Sequence, residues 1–88
     1  MQVEFLVHFQ RDLGKIHQAH VKQAIKRTIQ QVESSKRIQD VANVKKLSGH
    51  KSAYRIRIGD FRIGIFVVGN VAEFSRVVHR KDIYKLFP

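Results

Sequence analysis

The chain has 88 residues, 43% of them hydrophobic, which predicts a single domain over residues 1–88 with a real but thin core. It contains no cysteine, and this excludes both a disulfide scaffold and a cysteine-based metal site. Seventeen Lys and Arg against seven Asp and Glu give a net charge of +10. That balance favours polyanionic partners, nucleic acid before anionic membrane, with a merely solvated basic surface as the alternative.

The N-terminal half predicts one strand followed by two helices. Val3, Phe5 and Val7 alternate with other residues, as in a strand with one buried face. A short helix is predicted over 9–16. A longer helix is predicted over 19–34, because apolar residues recur there every three or four positions. We interpret the basic opposite face of this helix as an ordinary solvated surface.

The C-terminal half predicts a meander of antiparallel strands. Strands are expected over 44–47, 53–58, 61–68 and 71–79, and the last two connections are the two-residue turns Gly59-Asp60 and Gly69-Asn70. One or two helical turns are expected within 81–88. The element order predicts an α+β fold, with two N-terminal helices packed on an antiparallel sheet of about four strands and a short C-terminal helix. The first strand would lie beside a later one, at an edge or inside the sheet.

Arginines alternate with apolar residues in the first hairpin. Arg55 and Arg57 face away from Tyr54, Ile56 and Ile58, and Arg62 is placed the same way on the next strand. Because arginine holds phosphate bidentately and stays charged, three guanidiniums on one face predict a phosphate-binding platform. Three unrelated surface arginines are the alternative.

The end of the last strand adds Arg76, His79 and Arg80. Their register is open, because apolar residues of both parities occur along 71–79, as in a strand buried on both faces. His79 stands beside clustered arginines, which favours its neutral form and suits it to proton transfer. Tyr84 follows one helical turn later and would lean over the platform. The other histidines (His8, His17, His20 and His50) are interpreted as surface residues.

Three motifs resemble the RelE branch of the RelE/ParE toxins. They are the segment 45–49, Lys-Lys-Leu-Ser-Gly; the segment 54–64, with its Arg-x-Arg strand and Gly-Asp-aromatic-Arg turn; and the segment 79–84, His-Arg-x-x-Ile-Tyr. The order of elements also matches, so the resemblance covers nearly the whole chain. It implies a RelE-like fold, which is similar to that of the microbial ribonucleases.

The resemblance implies an endoribonuclease that cuts messenger RNA in the ribosomal A site. The substrate 2′-hydroxyl would attack the adjacent phosphorus and give a 2′,3′-cyclic phosphate, with no metal and no cofactor. Arg55 and Arg57 would bind phosphate, and Arg62 and Arg80 would stabilise charge on the phosphorane. Tyr84 would orient the nucleotide. Further RNA-binding residues are expected at Lys45, Lys46, Arg76 and Lys81.

One departure from the family concerns proton transfer. Some members carry lysines where this chain has Arg55 and Arg57, and arginine is a poor general base. That departure favours His79 for the proton, although the general base is not fixed by the sequence.

The resemblance also implies a cognate antitoxin with an acidic segment, which together with the toxin would bind operator DNA. No signal peptide is visible and no apolar run approaches the roughly 18 residues of a membrane span, so a cytoplasmic protein without a membrane partner is expected. Two alternatives stay open. One is a gyrase inhibitor of the same fold, and the other is a non-catalytic basic module that binds nucleic acid.

Overall fold

A computed structural model describes all residues, Met1–Pro88. It contains five strands, three α-helices and one 3₁₀ turn at Ile38–Asp40. In chain order the strands and α-helices are β1 (Gln2–Phe5), α1 (Val7–Gly14), α2 (Ala19–Ser34), β2 (Val44–Lys46), β3 (Ala53–Ile58), β4 (Phe61–Val68), β5 (Val71–His79) and α3 (Ile83–Leu86). No helix combines the length and the apolar character that a membrane crossing demands.

All five strands belong to one sheet with the order β1-β5-β4-β3-β2. Strands β2 to β5 are antiparallel neighbours, whereas β1 lies at the edge and pairs with β5 in parallel. The α+β prediction, with helices on a largely antiparallel sheet and a short C-terminal helix, is confirmed. Gly59 and Gly69 open the two predicted turns with φ of +58° and +59°, a region that glycine enters without steric cost.

The first strand is shorter than predicted, because Val7 begins α1 instead of ending β1. The cause is Phe9, whose ring packs against Phe5 and Phe74 with centroids 5.7 and 5.4 Å apart. The chain must turn into a helix by residue 7 to bring Phe9 back over the strand that precedes it. Val7 itself is left exposed.

One face of the sheet carries the main core, a cluster of 14 buried residues. The predicted apolar stripe of α2 supplies Val21, Ile25 and Val32 to it, while the basic residues of the same helix stay exposed. That the basic face is an ordinary solvated surface stays a prediction. Burying one stripe of an amphipathic helix on a sheet is the main hydrophobic stabilisation available to a domain of this size.

Strand β5 contains an irregularity that explains its mixed pattern of apolar residues. Gly64 pairs with Arg76, but Ile65 pairs with Phe74, so Ser75 is an extra residue on β5. Phe74 and Val77 therefore both face the main core although they have opposite parity. The mixed pattern thus has two causes: the register of β5 shifts at Ser75, and Val78 packs on the opposite face of the sheet.

The opposite face of the sheet carries a second, smaller core. Leu47, Ala53, Ile83 and Phe87 are buried there, with Phe66 and Val78 packed against them. Gly64 makes this possible, because a Cβ built on it would lie 2.5 Å from Cγ of Phe87. The missing side chain lets the Phe87 ring lie directly on the sheet, and this contact holds α3 in place.

We predict that Gly64→Ala loosens the C-terminal segment, since the new methyl group and the Phe87 ring cannot occupy the same space. Overpacking of this kind costs about 1–3 kcal/mol of the free energy of unfolding. In a Phe87→Ala background the same substitution costs much less, because the clashing ring is gone. Thermal unfolding of the four proteins of this cycle measures the coupling, and equal costs in both backgrounds would contradict the contact.

Candidate active site

The face of the sheet opposite the helices gathers the arginines of the first hairpin. Arg57 lies directly opposite Arg62 in the β3–β4 register, and Arg55 lies opposite Gly64 on one side and Lys45 on the other. Residues paired in this way point to the same face, and neighbouring strands are only about 5 Å apart. The predicted shared face of Arg55, Arg57 and Arg62 is confirmed, and Lys45 is on it.

Arg62 lies at the centre of this group. Burial lowers the pKa of its guanidinium, and repulsion from Arg55, Arg57 and Arg80 lowers it further, while Tyr84 acts in the opposite direction. These influences place all four neighbours within electrostatic range of one side chain. We call Arg55, Arg57, Arg62 and Arg80 the arginine cluster.

The cluster is poor in counter-ions. Nη1 of Arg62 donates only to neutral backbone oxygens, those of Gly59 at 2.7 Å and Phe61 at 2.9 Å. Nε of Arg55 is buried without a hydrogen-bond partner. The single carboxylate within reach is that of Asp60, 4.0 Å from Nε of Arg80, and both side chains are well exposed. An exposed pair at that distance contributes little, so the cluster keeps its positive charge.

Tyr84 is held beside the cluster by the second core. Ile83 and Phe87 on either side of it are buried, whereas Tyr84 is 65% exposed. A large exposed aromatic residue on a short helix that is anchored at both ends is a surface for stacking. That Tyr84 leans over the arginines and orients a nucleotide stays a prediction.

His79 does not join the cluster. It pairs with Phe61 in the β4–β5 register, and the two rings meet edge to face with centroids 5.9 Å apart. Phe61 packs against the main core, so His79 lies on the helix side of the sheet, away from Arg62. Its Nδ1 accepts a hydrogen bond from the backbone N–H of Lys81 at 3.2 Å. The assignment of proton transfer to His79 is therefore corrected.

Arg76, a predicted RNA-binding residue, is engaged in an ion pair within the protein. Its Nε and Nη2 donate to the two carboxylate oxygens of Asp12 at 2.7 and 3.0 Å, and this bidentate pair is largely buried. The hydrogen bond to Asp12 raises the pKa of Arg76. Asp12 also accepts the backbone N–H of Val77 at 3.1 Å, beyond the point where β1 ends. Arg76 therefore ties α1 to the free edge of β5 instead of offering its charge to RNA.

The three lysines that were expected to bind RNA lie in different places. Lys46 lies opposite Tyr54, so its position belongs to the helix side of the sheet, unlike that of Lys45. Lys81 is exposed just beyond the end of β5. A residue that the sequence did not single out, His50, lines a small cavity together with Tyr84. Thirty-four positions separate the two residues, and no motif in the sequence connects them.

The arrangement suits chemistry on a phosphodiester. Several fixed guanidiniums around one point would neutralise the equatorial oxygens of a phosphorane, and their planar forks match phosphate geometry. No three His, Asp or Glu side chains gather in a way that would hold a metal ion. The four side chains of the cluster carry neither a hydroxyl nor a thiol.

Comparison with known proteins identifies the family. Toxin RelE3 of Methanocaldococcus jannaschii is 40% identical to the chain over 89 residues, an alignment that covers both proteins completely. The chain belongs to the RelE toxin family. A scan against protein-family models finds no match.

Solved structures share the fold of this RelE-type toxin. The RelB-RelE antitoxin-toxin complex from Methanococcus jannaschii superposes with a TM-score of 0.82 and 38% identity, covering 97% of this chain and 99% of that one. The archaeal RelE-RelB complex from Pyrococcus horikoshii gives a TM-score of 0.73 at 21% identity, covering 93% and 97%. The intact E. coli RelBE complex gives 0.71 at 23% identity, covering 89% and 94%. At these lower identities, the P. horikoshii and E. coli complexes show that the fold is shared.

We predict that phosphate stabilises this RelE-type toxin more than chloride does at equal ionic strength, because the arginine cluster lacks counter-ions. At a phosphate concentration ten times its dissociation constant, the free energy of unfolding rises by about 1.4 kcal/mol. Arg62→Gln removes most of this gain, whereas Arg27→Gln, an exposed change on α2, leaves it intact. Thermal unfolding in the two salts measures the effect, and an equal response of the unaltered protein to both would count against the cluster as an anion site.

Proposed function

We propose that this RelE-type toxin is a metal-independent endoribonuclease that cuts messenger RNA in the ribosomal A site and so inhibits translation. The observation that supports this proposal is the arginine cluster, in which Arg55, Arg57 and Arg62 share one face and Arg80 adds charge near Arg62. Apart from the weak Arg80–Asp60 contact, the cluster lacks acidic partners. Membership of the RelE family supports the reaction class. A plain nucleic-acid-binding module would have less need of four guanidiniums around one point.

The reaction would use the nucleophile that RNA carries. The 2′-oxygen attacks phosphorus and loses its proton, the bond to the 5′-oxygen breaks, and that oxygen takes up a proton. The products are a 2′,3′-cyclic phosphate and a 5′-hydroxyl. Arg55 and Arg57 would hold the scissile phosphate in line, a form of positioning that removes much of the entropic barrier.

Arg62 and Arg80 would supply the charge that the transition state needs. Burial lowers the pKa of Arg62, and the positive charges of Arg55, Arg57 and Arg80 lower it further. A phosphorane bears more negative charge than the phosphodiester, so the cluster would favour the transition state over the ground state. Tyr84 would stack on a neighbouring nucleotide and fix its orientation. Because His79 lies on the other face, the general base is not assigned to it.

The proposal extends to partners and location. Solved RelE relatives are complexes with RelB antitoxins, which supports a cognate antitoxin for this chain as well. With a net charge of +10 on the toxin, an acidic antitoxin segment would be complementary. Operator DNA would be bound only through that complex, and the toxin would act in the cytoplasm, where its ribosomes and messenger RNA are found.

Arg62→Ala is expected to lower the rate of cleavage on programmed ribosomes by about 10²–10³-fold, the usual loss when one group that stabilises transition-state charge is removed. Tyr84→Ala is expected to lower it about tenfold or more through lost stacking. Primer extension on messenger RNA from a purified translation reaction measures both rates. Arg27→Ala is the matched control for charge.

His79→Ala should leave the cleavage rate close to that of the unaltered protein, because the imidazole is on the helix side of the sheet. Growth inhibition that persists in both Arg62→Ala and Tyr84→Ala would overturn the catalytic assignment. Inhibition of gyrase by the same preparations, without cut messenger RNA, would favour the gyrase-directed alternative.

A single 2′-deoxynucleotide on the 5′ side of the scissile bond should abolish cleavage at that position, because it removes the nucleophile. Cutting at unmodified codons of the same message serves as the internal control. Mass spectrometry of the upstream fragment should show a 2′,3′-cyclic phosphate. Unimpaired cleavage at the modified position would mean that water, and not the RNA itself, attacks the phosphorus.

A further inference from the structure

A cavity of about 230 Å³ lies between the turn that joins β2 to β3 and the C-terminal segment. Leu47 and Phe87, both buried, contribute its apolar part. Ser48, His50 and Tyr84, all exposed, contribute a hydroxyl and two aromatic rings to its wall. An apolar floor with aromatic and hydrogen-bonding groups at the rim is the usual lining of a site for a planar polar molecule.

Both sides of the cavity are held by contacts within the fold, and Leu47 and Phe87 belong to the same second core. On one side, the backbone N–H of His50 donates to the carbonyl of Leu47 at 3.3 Å, and Gly49 between them has φ of +78°. On the other side, the ring of Phe87 lies on Gly64 and contacts Phe66, with centroids 4.9 Å apart. The cavity is therefore present before any ligand binds.

The cavity adjoins the arginine cluster through Tyr84. Tyr84 lines the cavity, and its neighbour Ile83 packs in the second core with Val78, which pairs with Arg62 in the β4–β5 register. A ligand with a phosphate on the cluster would bring the group next to that phosphate to the ring of Tyr84. In RNA that group is a nucleoside, whose base stacks on Tyr or His rings and offers its edge to polar groups.

We propose that this cavity is a nucleobase subsite, and that His50 determines which base it accepts. The inference rests on the proposed function, because it takes the bound phosphodiester as its starting point. The base stacks against the rings of Tyr84 and His50 above Leu47, and the hydroxyl of Ser48 reads its edge. His50 is a specificity residue in this role and takes no part in moving protons.

The test uses binding alone, so that it does not depend on cleavage. The probes are a dinucleotide that carries a 2′-deoxyribose before its phosphate, which cannot be cut, and the same compound without the base that follows that phosphate. The chain contains no tryptophan and two tyrosines, so Tyr54→Phe leaves Tyr84 as the sole tyrosine fluorophore. Quenching of Tyr84 by the complete dinucleotide, and five- to tenfold weaker binding of the abasic one, is the expected result.

His50 is tested in the same background. His50→Ala is expected to weaken binding of the complete dinucleotide about fivefold and to leave the abasic probe unaffected, whereas His17→Ala, an exposed change between α1 and α2, alters neither. His50→Phe keeps an aromatic ring and should retain most of the affinity, while His50→Lys replaces the ring by a cation and should not. Tighter binding of the dinucleotide by His50→Lys than by His50→Phe would show that a cation at position 50 acts on the phosphate. That result would overturn the subsite.

Cleavage then separates this inference from the proposed function. If messenger RNA is cut and His50→Ala changes the ranking of codons, both stand. If it is cut with an unchanged ranking and the dinucleotide binds His50→Ala normally, the subsite is wrong and the nuclease stands. If the dinucleotide binds as described but no message is cut, the cavity stands and the proposed function fails.

Discussion

Side chains alternate between the two faces of the sheet, and around the β3–β4 hairpin one face is apolar while the other carries arginines. Along β3 and β4 every second residue is apolar and packs under the helices, which leaves Arg55, Arg57 and Arg62 no choice but to share the other face. A slip of one residue would bury the arginines, at a prohibitive cost. The register that builds the core therefore also builds the charged surface.

The arginine cluster concentrates positive charge without a close carboxylate, and Arg76 shows the contrasting arrangement. Arg76 donates to both oxygens of Asp12 and holds α1 against β5. Arg55 and Arg62 donate instead to backbone carbonyls, and Arg80 meets a distant exposed carboxylate. Charged groups that lack a close partner of opposite charge are expected at sites where a ligand supplies that partner.

The C-terminal segment joins the second core to the candidate chemistry. Gly64 leaves room for Phe87, Phe87 and Ile83 fix α3, and α3 presents Tyr84 beside Arg62 and His50. One glycine in the middle of β4, where a side chain would normally strengthen the sheet, is thus explained by the close approach of a ring. Packing energy far from any reacting atom determines the position of the stacking residue.

The sequence determined the fold class, the hairpins and the shared face of three arginines, since these depend on alternation and turn chemistry that neighbouring residues express. It also carried the motifs of the RelE family. It could not place Arg76, whose partner Asp12 is 64 positions away, nor His79, because an extra residue at Ser75 shifts the register of β5. Nor could it bring His50 to Tyr84, which only the packing of Phe87 on Gly64 achieves. Contacts between distant segments depend on the whole fold, so the periodicity of residues within one segment does not predict them.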